Sequence, residues 1–182
     1  MLTAPSVSGA RCRRRSGVAS IGELAMASED WLRKHPGHKP LARLAGVGWA
    51  LDSYRLERER LRAMRSAGVA FGNACRMAGI TSPEMIDVLE LESQTGFHEA
   101  AYVRALQVAP QTQVSPSGGA FAQNPLFCTG LVCAAEAILQ VAGQAGAVQR
   151  AGVRCAVAHS CHGFAQQGNV FMVFDQVGGR LG

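Results

Sequence analysis

Residues 126–146 read LFCTGLVCAAEAILQVAGQAG, a run of small and aliphatic side chains in which Glu136 is the single charge. Pro125 precedes it and suits the first turn of a helix, where its missing amide is no loss. A helix of this composition has too few polar positions for a wet face and must be buried, and a chain standing alone is expected to leave an adhesive apolar surface there.

The other segments supply the cover. Leu41 to Leu51 (LARLAGVGWAL) is apolar with interspersed glycines, which suits a buried strand approached closely by other backbone, although the same letters also fit a helix. From Glu57 to Gly79 the spacing changes to a helical one: Leu61, Met64, Gly68, Phe71 and Cys75 share a face, and Gly79 stands where a terminating glycine belongs. DVLELE, from Asp87 to Glu92, alternates like a strand, and a helical pattern resumes from His98 to Val108 after a Gln-Thr-Gly turn. Val153 to Ala158 and Asn169 to Phe174 read as a hairpin joined by HSCHGFAQQG. Nearer the amino terminus, residues 17–27 suit a short strand, and Ser28 before Glu29 and Asp30 suits a helix N-cap.

These elements imply an α/β fold, a mixed sheet with helices on both faces. Three polar loops, at 92–98, 115–125 and 159–168, are then the places for chemistry. Residues 1–27 are expected to be an irregular remnant, 28–177 the domain and 178–182 a tail.

The formal charge of +5 is local, because Arg11, Arg13, Arg14 and Arg15 all precede the first acid, Glu23. A solvated terminus is favoured over a targeting leader, since Pro5, Gly9 and Gly17 interrupt any amphipathic helix there. Nucleic-acid binding is not expected, because no basic face with interleaved aromatics follows. No apolar run is long enough for a membrane span. The cysteines at 12, 75, 128, 133, 155 and 161 show no disulfide framework and suit a reduced, cytoplasmic protein. The spacing of Cys155, His159, Cys161 and His162 fits no standard zinc pattern, so no metal is expected.

Three segments are similar, in order and spacing, to successive parts of the carboxy-terminal half of thiolases: SPEMIDVLELESQTGFHE, VSPSGGAFAQNPLFCTGLVCAAEA and AGVRCAVAHSCHGFAQQGNVFMVF. The stretch KPLARLAGVGWALDS resembles the start of that half, and the match, over roughly residues 28 to 175, is most similar to the sterol-carrier-protein-2-type branch. The resemblance implies a thiolase-like fold and acyl-CoA chemistry, thiolysis or Claisen-type condensation, with acyl-CoA or CoA as substrate and no separate cofactor. A cysteine of the amino-terminal half attacks the thioester in that family, splitting one hard acyl transfer into two easier ones. No cysteine here lies in a matching motif. The nucleophile is therefore expected from a thiolase-like amino-terminal half on another polypeptide, with a homo-oligomer or an OB-fold protein as further partners.

Carried over by position, the family's Asn or His after the DVLELE-like strand falls on Glu92, and its Gly-His-Pro turn reads Gln123-Asn124-Pro125. Asn124 can donate a hydrogen bond but cannot serve as a base. In the last loop His159 and Cys161 are candidate proton carriers. Ser117, Gly118, Gly119 and His162 are the candidate substrate-binding residues, the glycines permitting a tight turn whose amides approach a ligand. The alternative is a catalytically inactive domain that only binds or scaffolds, favoured by Glu92 and Asn124, or a truncated gene product.

Overall fold

The computed structural model describes residues 6–13, 21–122 and 127–179. The strands are β1 (Ser6–Arg13), β2 (Ile21–Ala27), β3 (Ala42–Leu51), β4 (Val88–Glu90), β5 (Gln113–Val114), β6 (Cys155–His162) and β7 (Gly168–Asp175). Among the described residues they form one sheet in the order β2-β1-β3-β7-β6-β4-β5. β4 runs parallel to β5 and β6, and every other neighbouring pair is antiparallel. The helices are α1 (Glu29–Lys34), α2 (Arg58–Ala63), α3 (Arg65–Ala78), α4 (Gly96–Ala105), α5 (Gly119–Ala122) and α6 (Thr129–Val141).

The mixed sheet carries helices on both faces, as expected. One core joins α3 and α4 to Leu89, Leu91, Val157 and Phe171, and the other joins α6 to Val88, Ala156, Ala158 and Phe174. On strands β4 and β6, successive residues thus alternate between the two cores.

The contact between β3 and α3 depends on residues that have almost no side chain. A Cβ on Gly46 would lie 2.3 Å from the Ala74 carbonyl oxygen, and one on Gly48 would lie 2.0 Å from that of Ala70. The opposing stripe on α3 is accordingly Ala67, Ala70 and Ala74, all fully buried. The expected single helix from 57 to 79 is broken, since Met64 adopts a left-handed conformation (φ 44°) between α2 and α3. Most of the face expected to be buried is so: Cys75 joins the core and Met64 and Phe71 pack against it, whereas Leu61, on α2 before the break, is 48% exposed.

Helix α6 is shorter than the run that suggested it. It ends at Val141, and Gln140, 1% exposed, closes the following turn by donating to the Val148 carbonyl and accepting from the Arg150 amide. None of its residues is exposed, so it is buried within this chain and does not itself present the adhesive apolar surface expected of it. β1 and β2 also lie against it. That strand pair replaces the irregular terminus expected for residues 6–13; the strand expected near 17–27 is present from Ile21. Strand pairing is made by backbone amides and carbonyls, which an arginine-rich composition does not reveal.

Val47 packs with the α6 core, and strand alternation puts Trp49 and Leu51 on the same face. Both are open to solvent, at 70% and 66% exposure.

Candidate functional site

Because β4 and β6 are parallel, the segments leaving their carboxyl ends emerge at one end of the sheet. The register pairs Glu90 with Ala158, so two residues further on Glu92 comes level with Ser160. There the Glu92 Oε2 accepts from the Ser160 hydroxyl at 2.9 Å and from the Cys161 amide at 3.0 Å. The Cys161 thiol turns back to the Glu92 carbonyl, 3.7 Å away. The first turn of α6 closes on this group: a Cβ on Gly130 would lie 2.1 Å from Ser160 Oγ and 3.0 Å from Glu92 Oε2.

The Ser-Pro-Ser-Gly-Gly loop is tied to the same strand. Ser117 donates its amide to Glu90 Oε1 at 3.1 Å and its hydroxyl to Glu90 Oε2 at 2.7 Å, and accepts from the Gly119 amide at 3.0 Å. Gly118 and Gly119 have φ of 84° and 48°, so the tight turn uses the freedom expected of them. Burial pushes the Glu90 carboxyl up to about 7, against the pull of the two Ser117 hydrogen bonds. Glu90 was not singled out from the sequence. It lies two residues before Glu92 in an alternating strand, which was the available signal.

The residues of the expected 159–168 loop separate. β6 continues to His162, so His159, Cys161 and His162 are strand residues. His159 points to the face opposite Ser160, fully buried between the rings of Tyr102 and Phe171. Its Nε2 meets Asn169 Oδ1 at 2.8 Å, and among the described residues its Nδ1 has no partner. Burial pushes this imidazole down to about 4, which keeps it neutral at physiological pH. Cys161 stays near Glu92, with its thiol pushed up to about 12 by burial and further by the Glu92 charge, while the Tyr102 hydroxyl opposes the rise. His162 is exposed, its ring lying over Gly168 where a Cβ would be 2.3 Å away. Asn124 lies outside the described residues.

A buried polar chain on the α3 and α4 side also escaped the sequence reading. Tyr102 donates to Asn169 Oδ1 at 3.2 Å, Asn169 donates to Ser66 Oγ at 2.8 Å, and Ser66 donates to Asp52 Oδ2 at 2.6 Å. Its members are spread from residue 52 to 169, so no local pattern announces it. Among the described residues no group of three or more His, Cys, Asp or Glu side chains is placed to hold a metal ion. No described helix is long and apolar enough to cross a membrane.

No protein-family model matches the sequence, and no curated protein sequence matches it. Among solved structures the chain is similar to human mitochondrial 3-ketoacyl-CoA thiolase, with a TM-score of 0.65 and 20% identity over 88% of this chain. It is equally similar to human mitochondrial 3-ketoacyl-CoA thiolase in complex with CoA, again at 0.65 and 20%.

The fold is thiolase-like. The chain spans 37% of the length of each of those thiolase chains. In this thiolase-like fold Glu92, Ser160, Cys161 and Gly130 meet at one sheet end, and Glu90 anchors the Ser117 loop beside them. The cluster offers a carboxylate and a hydroxyl, groups that can accept or donate hydrogen bonds to a polar ligand, while the Cys161 thiol turns to the face shared by His159 and Tyr102.

Proposed function

We propose that the chain is one part of a thiolase-like acyltransferase for acyl-CoA thioesters, of the sterol-carrier-protein-2-type branch, working by thiolysis or Claisen-type condensation. The observation that carries the proposal is the meeting of Glu92, Ser160 and Cys161 beside the first turn of α6, at the sheet end where loops of an α/β fold gather their chemistry. Glu92 is the group that accepts or returns a proton, and Asn124 the amide that hydrogen-bonds the thioester oxygen.

The attacking thiolate comes from another polypeptide, since no cysteine of this chain lies in a matching motif. Burial pushes Cys75 up to about 11 and Cys155 and Cys161 up to about 12, and raises Cys133 well above its ordinary value. A thiol held in that range is a poor nucleophile near neutrality. Trp49 and Leu51, exposed on the α6 face, offer the apolar ground on which a second half packs. Buried thiols also suit a reducing, cytoplasmic setting.

A second reading, an inactive thiolase-like binding domain, draws on a specific observation: His159 is buried and neutral, and Cys161 is fixed as a thiol. The two separate in one experiment. Acetoacetyl-CoA thiolysis is measured for the chain alone and after adding a polypeptide with a thiolase-like, nucleophile-bearing half encoded beside it. The acyltransferase reading expects a rate only in the mixture, lost in Glu92→Ala. Complex formation without any rate supports the binding domain instead.

A further inference from the structure

On the α3 and α4 side a cleft of about 480 Å³ lies between α2, α4 and the turn joining β6 to β7. It lies across the sheet from Glu92 and Ser160. Three guanidinium groups line it: Arg60, Arg62 and Arg104. Among the described residues none of the three forms an ion pair with a carboxylate. Asp52 is the one acid in the lining, so three guanidinium groups face a single carboxylate and positive charge is in excess.

Arg60 is fixed by carbonyl groups, donating to Arg55 at 3.1 Å, Phe164 at 2.8 Å and Ala165 at 3.0 Å. Carbonyls orient a guanidinium without neutralising it. The turn it holds is itself constrained, since Ala165 and Gln166 have φ of 50° and 54°, a left-handed conformation unfavourable for side chains of their kind. Gln166 is further tied to His98, and its carbonyl accepts from Asn169. The wall is thus held in place by residues that themselves line the cleft.

Beside these charges stand apolar groups that the chain leaves uncovered. Phe97 is 80% exposed and Leu61 48%, and both line the cleft with Met64. The floor carries polar atoms of Tyr102 and Asn169. A water-filled basic patch would need no aromatic rim, and a purely apolar groove would not gather three unpaired arginines. The volume lies within the range of small-molecule sites.

We propose that this cleft binds a small organic oxyanion, a carboxylate or phosphate on a short aliphatic or aromatic body. The oxyanion pairs with Arg62 and Arg104, whose planar donors match either group, and the body lies against Phe97 and Leu61. The site is separate from the one read for thioesters and stands whether or not that reading does.

The test is calorimetric titration of the full chain with hexanoate, hexyl phosphate, hexanol and inorganic phosphate. At least one of the two amphipathic anions is expected to bind, about tenfold or more tighter than both hexanol and inorganic phosphate. Which of them binds more tightly distinguishes a carboxylate ligand from a phosphate. Arg62→Gln and Arg104→Gln, at exposed positions and with folding checked by circular dichroism, are each expected to weaken that binding about tenfold, and Phe97→Ala to weaken it severalfold. Failure of both anions to bind at millimolar concentration overturns the proposal. So does equal binding of hexanol or inorganic phosphate, or binding unchanged in the arginine variants.

Discussion

Ser160 and Glu92, 68 positions apart in sequence, are joined by a 2.9 Å hydrogen bond that fixes the carboxylate at the first turn of α6. The Cys161 amide donates to the same oxygen at 3.0 Å, so the loop after β4 is locked to β6 by a charged acceptor with two donors. Ser160→Ala removes one donor and is expected to cost about 1 kcal/mol, whereas Glu92→Ala strands the hydroxyl and the amide together and costs more. Urea unfolding of both variants checks the order. If Glu92→Ala proves the milder change, the lock described here is wrong.

Gly130 makes a sharper demand on the same site. A methyl group there would stand 2.1 Å from Ser160 Oγ and 2.4 Å from its Cβ, so Gly130→Ala must displace either the helix start or the Glu92 partner. Overpacking of this kind costs roughly 1–3 kcal/mol. The Gly130→Ala, Ser160→Ala double variant relieves the Oγ clash and is expected to lose less than the sum of the two single losses.

Gly48→Ala is expected to be the most damaging single methyl addition on β3. Its Cβ would meet the Ala70 carbonyl oxygen at 2.0 Å and the Ala74 nitrogen at 2.5 Å, both backbone atoms that cannot rotate away. The loss should reach about 3 kcal/mol or more, or prevent folding outright. Thermal melts decide it, with Gly37→Ala, which meets nothing within 4 Å, as the control.

Stability against pH carries two opposed contributions. Glu90 rests near about 7 in the folded chain against an ordinary 4.5, so its contribution is full below about 4.5 and is lost as pH rises through about 7. His159 rests near about 4 against 6.5, so its contribution is full above 6.5 and is lost as pH falls through about 4. Between 4.5 and 6.5 the two slopes oppose each other. Glu90→Gln should leave a urea midpoint that rises with pH across that window, and His159→Phe one that falls. Parallel profiles in the two variants would show that neither group titrates as described.

The sheet and its helices were legible because their signals are local: the DVLELE alternation, the glycines of LARLAGVGWAL and the Ser28 cap each act within a few residues. Ser28 does accept from the Trp31 amide, at 3.2 Å. The site was legible only in part. The Cys161 amide reaches Glu92, but the side chains of Cys161 and His159 face the other core, because the strand continues past Ala158 and alternation sends successive side chains to opposite faces. Ser160 and Glu90 were passed over, since a serine between His and Cys and a second glutamate in a strand look ordinary until the parallel register sets them against their partners. The break at Met64 and the alanine stripe of α3 were hidden for another reason: a scan for large apolar residues is blind to packing that depends on small ones.

The central claim is that acyl-CoA thioesters are handled at the carboxyl ends of β4 and β6. Hydrogen exchange of the full chain, with and without acetyl-CoA, tests it most directly. The account predicts slowed exchange in residues 91–98, 115–122 and 159–168, diminished in Glu92→Ala. Acetyl-CoA that leaves those three segments unchanged, or protects only segments remote from them, would contradict it.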